Sequence, residues 1–159
     1  MFKKIHIRII SLLIAVFLLV INVSGVFAAA PLALHIVVDT KFDLPIQPAE
    51  FFASGLAVSS GLVCAHGLVY EVGGSGYGKP EHSGVLILKV DKHFVCDNDS
   101  NSFDVKMIVY LDTTTGMTSA RWRIVGGTGD YVKLKGTGSL VGTPGGSNDV
   151  IDVYDGKVL

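Results

Sequence analysis

The side chains best suited to acid–base chemistry are three aspartates close to the C-terminus, Asp149, Asp152 and Asp155. Side chains alternate between the two faces of a β-strand, so Asp152 would share a face with Tyr154, and Asp155 would lie on the other face. One of these carboxyl groups is therefore expected to face the interior. A carboxyl group in an apolar interior is a candidate for proton transfer, and a hydrogen-bonded structural acid is the favoured alternative.

Three further side chains are candidate partners of that acid, namely Tyr154, Arg121 and Arg123. Together with Asp152 they define a catalytic hypothesis, that of a cyclase- or isomerase-like enzyme. The serines and threonines are scattered and none stands in a nucleophile-elbow motif, so a hydrolase triad has no support. The sequence predicts no cofactor.

One polar segment has the spacing of a cation-binding loop. Asp97, Asp99 and Asn101 place oxygen side chains at alternate positions, as the opening of a calcium loop does. The pattern then fails, because Ser102 stands where glycine is needed and Ile108 stands where the bidentate glutamate is needed. Asn-Asp-Ser runs are also good turn formers, so a polar hairpin loop is favoured and no metal is predicted.

The two cysteines, Cys64 and Cys96, allow a disulfide or a metal site. With His66 and His93 they would provide two thiols and two imidazoles, a set that zinc uses. However, a spacing of three residues on a strand puts His93 and Cys96 on opposite faces. A disulfide is favoured, and by closing a loop of about 30 residues it would stabilise the fold by roughly 3 kcal/mol.

The first 30 residues read as an export signal. Lys3, Lys4 and Arg8 precede an apolar run over residues 9–21, and small residues follow where cleavage after Ala28 or Ala30 would fit. An uncleaved anchor is the alternative, although a membrane span needs about 20 apolar residues. We therefore expect a secreted or extracytoplasmic protein whose single domain covers residues 31–159.

The charge of that domain limits its partners. Three of the thirteen basic residues lie in the leader, which leaves ten against fourteen acidic residues. A domain of this mildly acidic balance is not expected to bind nucleic acid, because such binding requires neutralisation of phosphates. Contact with a membrane is expected only through an uncleaved leader. The oligomeric state is left open.

Beyond the leader the chain alternates between apolar and polar residues in short runs. In residues 103–111, Phe103, Val105 and Met107 share one face with Val109 and Leu111, which is the period of a half-buried strand. Similar patterns predict eight strands, at residues 34–38, 51–58, 62–72, 85–94, 103–111, 120–124, 131–141 and 150–159. No window shows a helical period. The expected fold is all-β, a single antiparallel barrel of about eight strands.

The segment from Trp122 to Gly136 joins two of these strands through a glycine-rich turn. Neither phosphate-loop fingerprint fits the turn, so a structural role is favoured. The turn consists of Gly126, Gly127, Thr128 and Gly129. Trp122 and Ile124 are expected to enter the core, with the flanking arginines on the opposite face.

This segment resembles the Gly-Gly-Thr-Gly-x-Phe-x3-Arg-Gly signature of plant dirigent proteins, with Tyr131 in place of Phe and Lys135 in place of Arg. It is also similar to the Gly-Gly-Ser-Gly-x-Phe-x4-Gly segment of allene oxide cyclases. Both families are eight-stranded barrels around an apolar cavity, and the resemblance implies that architecture. Residues 149–157 and the two cysteines resemble small exported bacterial proteins of unassigned function. No catalytic residue follows from these resemblances.

Three functions from different classes remain after these observations. The favoured hypothesis is a non-catalytic secreted barrel that binds a small apolar ligand in its lumen. The second is the cyclase- or isomerase-like enzyme with an interior acid. The third is a structural or surface-interaction domain with a filled core. A barrel of about eight strands is just wide enough either to be filled by side chains or to hold one small ligand.

Overall fold

The computed structural model describes residues 30–41, 48–77, 83–98, 100–146 and 149–159. The predicted signal segment, apart from Ala30, lies outside the described residues. The structure contains eight strands: β1 (Leu32–Lys41), β2 (Ala49–Ser54), β3 (His66–Tyr77), β4 (Val85–Cys96), β5 (Ser102–Asp112), β6 (Thr118–Thr128), β7 (Gly136–Pro144) and β8 (Asp149–Val158). A short helix α1 (Leu56–Ser59) follows β2, and a 3₁₀ turn (Gly129–Tyr131) follows β6.

The strands form one closed antiparallel barrel in chain order, which confirms the predicted fold class. Each strand pairs with its sequence neighbours, and β1 closes the barrel against β8 from Leu32↔Val158 to Lys41↔Asp149. Two irregularities interrupt the ladders, one between Glu71 and Gly73 and one at Asp104/Val105. In the described part of the chain, no helix is long and apolar enough to cross a membrane.

Three of the predicted strands include four or more residues that do not belong to strands. The predicted strand 51–58 ends at Ser54, because Gly55 adopts a positive φ of 100° and the chain then turns into α1. The predicted strand 62–72 begins only at His66, after a second positive-φ glycine at Gly61, and continues to Tyr77. The predicted strand 131–141 begins only at Gly136, because Tyr131 belongs to the 3₁₀ turn.

An aromatic cluster fills the barrel near the end that carries the cysteines, which we call the disulfide end. Phe94 stacks on Phe103 with ring centroids 4.8 Å apart, and Phe51 meets Phe94 edge to face at 5.3 Å. Tyr154 approaches Phe94 from β8 at 5.8 Å. These rings are almost completely removed from solvent, so this part of the core is side chain rather than cavity.

The single tryptophan extends the filled core towards the middle of the barrel. A side chain on Gly138 or Gly156 would collide with the Trp122 indole, so these two glycines leave the space that the ring occupies. The indole nitrogen donates to the carbonyl of Ser139 at 2.9 Å. The sequence-based prediction that Trp122 enters the core is confirmed.

Candidate functional site

An ion pair spans the centre of the barrel. Lys92 on β4 and Asp152 on β8 both point inward, and Lys92 Nζ donates to Asp152 Oδ2 at 3.2 Å. The two residues are 7% and 8% exposed. Because β4 and β8 are four positions apart in a barrel of eight strands, the pair joins opposite walls. The expectation that one C-terminal aspartate faces inward therefore holds for Asp152, whereas Asp155 lies outside, bonded to His35 at 2.7 Å.

The environment of the pair holds Lys92 protonated. Burial by itself lowers the pKa of Lys92, but the charges of Tyr154 and Asp152 outweigh it and leave the pKa above its ordinary value. Tyr154 is uncharged at neutral pH, so the Asp152 carboxylate is the effective partner there. For Tyr154, burial raises the pKa of the phenol to about 12, against the opposing effect of Lys92.

Three buried hydroxyl groups have no hydrogen-bond partner among the described residues: those of Thr40, Thr118 and Tyr154. The Thr118 hydroxyl and the Asp152 carboxylate flank the same glycine, Gly142. The interior towards the β5–β6 hairpin is therefore more polar than the aromatic half. Buried polar atoms of this kind usually bond to water or to a bound molecule.

The predicted catalytic set is divided by the barrel wall. Asp152 and Tyr154 face inward, but Arg121 and Arg123 are exposed on the outer face of β6. They alternate with the buried residues Ala120, Trp122 and Ile124. The two arginines cannot reach the interior acid from the opposite side of the sheet. The arrangement thus offers Lys92, not an arginine, as the cation beside Asp152.

A large concave feature lies on the outer surface. We call it the basic groove, a depression of about 740 Å³ that crosses β3 to β7. Lys89, Lys106, Arg121 and Arg123 contribute four positive charges to it, and Asp91 contributes the single negative charge. Its uncharged lining comes from Gly74, Ser75, Met107, Ile108, Trp122, Thr137 and Gly138.

Strand pairing explains how these cations converge. Lys106 lies directly opposite Arg123 across the β5–β6 ladder, and Ile108 lies opposite Arg121. On the other side, Lys89 pairs with Ile108 and Asp91 pairs with Lys106. The cations therefore occupy adjacent positions in two neighbouring rows, about 7 Å apart along each strand.

Acidic side chains compensate this charge only in part. Lys106 Nζ lies 3.2 Å from Asp91 Oδ2, and Lys89 Nζ lies 5.7 Å above the Tyr77 ring. Arg121 and Arg123 have no ion-pair partner in the part of the chain that the structure describes. They are also the only two arginines of the sequence after residue 30.

The glycine-rich corner connects β6 to the disulfide. The Cys64–Cys96 disulfide is present, as predicted. The Tyr131 hydroxyl accepts a hydrogen bond of 2.7 Å from the Cys64 N–H, and burial raises the pKa of Tyr131. A side chain on Gly127 would collide with the carbonyl of Tyr131. Tyr131 therefore has a specific role, to bind the backbone beside the disulfide.

The rest of this corner is also used structurally. Gly129 has a φ of 58°, and a side chain there would strike Asn101. Gly126 and Thr128 end β6, and the Thr128 hydroxyl bonds to Ser102 at 2.8 Å. Gly136 opens β7 against Val158. The structural-turn interpretation of this segment agrees with these contacts.

The predicted metal-ligand candidates are dispersed over separate contacts. Asp97 bonds to His66 Nδ1 at 2.8 Å, and Asn101 bonds to Asp130. Asp99 lies outside the described residues. His93 is on the outer face, bonded to Asp104 at 2.7 Å. Among the residues with described positions, no group of three or more His, Cys, Asp or Glu side chains could hold a metal ion.

The sequence analysis did not identify two features of the site, the Lys92–Asp152 pair and the basic groove. Alternation along β4 did indicate that Lys92 faces inward. Lys92 stands on the same face of its strand as Leu88, Val90 and Phe94, so its inward position followed from the alternation. Its pairing with Asp152 did not, because the two residues are 60 positions apart. The basic groove requires the registers of four strand pairs, which the sequence does not display.

The chain matches no family model, and comparison with curated proteins and with solved structures gives no significant match. The fold and the site therefore define it by themselves, as a closed eight-stranded barrel with an aromatic core, an internal Lys–Asp pair and a cationic groove on its outer wall.

Proposed function

We propose that this protein is an exported, non-catalytic binding protein, and that its ligand is an anion bound in the basic groove. The observation that carries the proposal is the convergence of Lys89, Lys106, Arg121 and Arg123 on one depression. Arginine binds carboxylate and phosphate groups with two parallel hydrogen bonds, so the two adjacent arginines suit an anionic group of that shape.

The distribution of charge supports this proposal. The domain beyond the leader is acidic overall, yet four of its ten basic residues line one groove. Lys106 directly opposite Arg123 is a like-charge cross-strand pair, which destabilises a sheet. Sequences depart from such local rules chiefly at functional sites. A bound anion would relieve the repulsion.

The groove also has the size of a binding site. Its volume of about 740 Å³ falls within the range of ordinary ligand pockets, roughly 300–1,000 Å³. By contrast, the disulfide half of the lumen is occupied by aromatic rings. The molecule is thus best suited to act through its outer surface, as in the surface-interaction hypothesis.

Export is part of the proposal and rests on two observations. The leader has the charge and hydropathy pattern of a secretory signal. The Cys64–Cys96 disulfide is a feature of proteins that fold in oxidising compartments.

The test is a phosphate titration followed by backbone amide NMR. We expect inorganic phosphate to shift the amides of β4 to β6 around the groove, with an affinity that weakens as salt is added. The double variant Arg121→Gln/Arg123→Gln should lose at least about tenfold in affinity, since hydrogen bonds to charged groups contribute about 1.5–3 kcal/mol each.

A matched control distinguishes the effect of the groove residues on affinity from the effect of net charge. Lys133→Gln/Lys135→Gln removes the same charge from two exposed residues outside the groove. We expect this variant to bind phosphate within about twofold of wild type, because distant exposed charges are largely screened. Equal losses in the two double variants would reduce the effect to net charge and refute the proposal.

A second candidate function is binding of a small ligand inside the barrel. The specific observation in its favour is the three unpartnered hydroxyls of Thr40, Thr118 and Tyr154. Trp122, the only tryptophan, lies in the interior and would report such binding by its fluorescence. Small apolar ligands that leave the emission of Trp122 and the unfolding temperature unchanged would rule out this candidate.

A further inference from the structure

We infer that the anion bound by the basic groove is the head group of a single-chain amphiphile, whose apolar chain lies along the adjoining strip of the outer surface. This inference rests on the proposed function. It adds the chemical class of the ligand, an alkyl phosphate or alkyl carboxylate in place of a free inorganic anion.

The strip consists of Ile87, Tyr110 and Val141, which we call the apolar row. Pairing aligns these residues across the sheet: Ile87 lies opposite Tyr110, Tyr110 opposite Ser119, and Ser119 opposite Val141. Tyr77 pairs with Ile87 at one end of the row, and Val153 pairs with Val141 at the other. Apolar side chains therefore follow one another on the outer face, interrupted only by Ser119.

The apolar row lies directly beside the cations. Two of its members stand two residues from a groove position on the same strand, Ile87 from Lys89 and Tyr110 from Ile108, and Ser119, which lies between Tyr110 and Val141, stands two residues from Arg121. Residues two apart share a face and are about 7 Å from each other. Ile108 itself lies in register between Lys89 and Arg121. The apolar row thus borders the groove along β4 and β5, with Lys89 and Arg121 on either side of Ile108.

The row is exposed enough to bind a chain. Tyr110 is 48% exposed and Val141 is 49% exposed, whereas Ile87 is half-buried; Ile108, which adjoins the row in the groove, is 42% exposed. A single exposed apolar residue needs no explanation, but an aligned group beside a cluster of cations is a different case. From β4 to β7 the row spans roughly 14 Å, about the length of an extended ten-carbon chain.

Charge complementarity selects the occupant. Four cations and one acid leave a clear excess of positive charge at one edge of the row. A neutral lipid would form no ion pair with these cations, and a free inorganic anion would leave the apolar row exposed to water. One molecule with an anionic head and one alkyl chain satisfies both zones.

The experiment compares decyl phosphate with methyl phosphate, both below the concentration at which decyl phosphate forms micelles. We expect decyl phosphate to bind at least about tenfold more tightly, which is about 1.4 kcal/mol. Decyltrimethylammonium has the same chain and the opposite charge, and we expect it to bind at least tenfold more weakly than decyl phosphate. Binding is measured by calorimetry and by amide shifts in β4 to β7.

Two double variants then distinguish the contribution of the apolar row from that of the basic groove. Tyr110→Thr/Val141→Thr keeps strand-forming residues at both positions and should remove most of the gain from the chain, with methyl phosphate binding unchanged. Phe52→Thr/Val132→Thr removes two exposed apolar side chains elsewhere and should leave both affinities within about twofold.

Each of the remaining outcomes would overturn the inference, and one of them would also overturn the proposed function. Equal affinities for decyl and methyl phosphate, both lost in Arg121→Gln/Arg123→Gln, would overturn this inference and leave the proposed function in place. Tight binding of decyltrimethylammonium, or an equal loss in Phe52→Thr/Val132→Thr, would show unspecific adsorption and overturn it as well. Failure of all anions to bind the groove would overturn the proposed function too.

Discussion

Lys92 and Asp152 come from opposite walls of the barrel and meet inside it, with 3.2 Å between Nζ and Oδ2. No hairpin or neighbouring strand brings them together, because three strands separate β4 from β8 in either direction. The pair therefore depends on closure of the whole sheet.

The first prediction concerns the loss of one member of this pair. Lys92→Met should lower the free energy of unfolding by about 3–5 kcal/mol at pH 7, because it leaves the Asp152 carboxylate buried without a cation. The double variant Lys92→Met/Asp152→Leu should recover most of that loss, since no buried charge remains. Urea denaturation measures both. A double variant as unstable as Lys92→Met would mean that volume, not charge, dominates at this site.

Stability should also fall at alkaline pH. The pKa of Tyr154 rises on folding from 10 to about 12, so between these values the unfolded chain loses a proton that the folded protein keeps. The unfolded state then binds fewer protons, and the free energy of unfolding falls as the pH rises above about 10. Lys92, whose pKa is also raised, contributes in the same direction.

The matching variant for this effect is Tyr154→Phe. Because this variant has no titrating phenol at position 154, the loss of stability between pH 7 and pH 11 should be smaller by about 1.4 kcal/mol, which corresponds to one pH unit above the unfolded pKa. At pH 7 it should leave stability unchanged or raise it by up to about 1 kcal/mol, because the hydroxyl has no partner among the described residues. Urea titrations at pH 7, 10 and 11 provide the comparison, and identical pH profiles for the two proteins would contradict the assignment.

The third prediction tests the tyrosine of the glycine-rich corner. Tyr131→Phe should cost about 1–2 kcal/mol, because the Cys64 N–H loses its acceptor beside the disulfide. Tyr110→Phe, at an exposed position, is the control and should change stability by less than about 0.5 kcal/mol. If reduction of the disulfide abolishes the difference between Tyr131→Phe and wild type, the hydrogen bond acts through that link.

The fourth prediction concerns the glycines beside Trp122. Gly138→Ala should destabilise the protein by at least about 2 kcal/mol, because the new methyl group would overlap the indole ring and the carbonyl of Asp155. Gly73→Ala is the control, since its nearest neighbour would be 3.8 Å away. Thermal unfolding followed by circular dichroism measures both. A mild effect of Gly138→Ala would mean that the indole can move aside.

Alternation of apolar residues was sufficient to predict the fold class. Period two over residues 103–111 and 120–124 marked β5 and β6, and these strands form in register with each other. Two of the strands with wrong limits adjoin Gly55 and Gly61, and the third follows Gly129; at all three glycines a positive φ interrupts the extended chain. Glycine permits a positive φ but does not require it. The local hydropathy pattern therefore does not show at which glycine the strand is interrupted.

The candidate site was less predictable, for a geometric reason. The inward positions of Asp152, Tyr154 and Trp122 follow from alternation along single strands. The meeting of Lys106 with Arg123 depends on the length of the β5–β6 hairpin, which sets a regular register from Leu111↔Thr118 to Val105↔Ile124. A shift of one residue there would have placed the cations on different rows, and only the assembled sheet fixes the register.

The pairing of β1 with β8 has a consequence for biogenesis. The strand β1 (Leu32–Lys41) obtains one of its two neighbours from β8 (Asp149–Val158), so the wall stays open until β8 has been synthesised. The Cys64 and Cys96 thiols, in contrast, are both available when β4 emerges. The Cys64–Cys96 disulfide can therefore form before the barrel closes. The nascent chain is then already cross-linked before β1 pairs with β8.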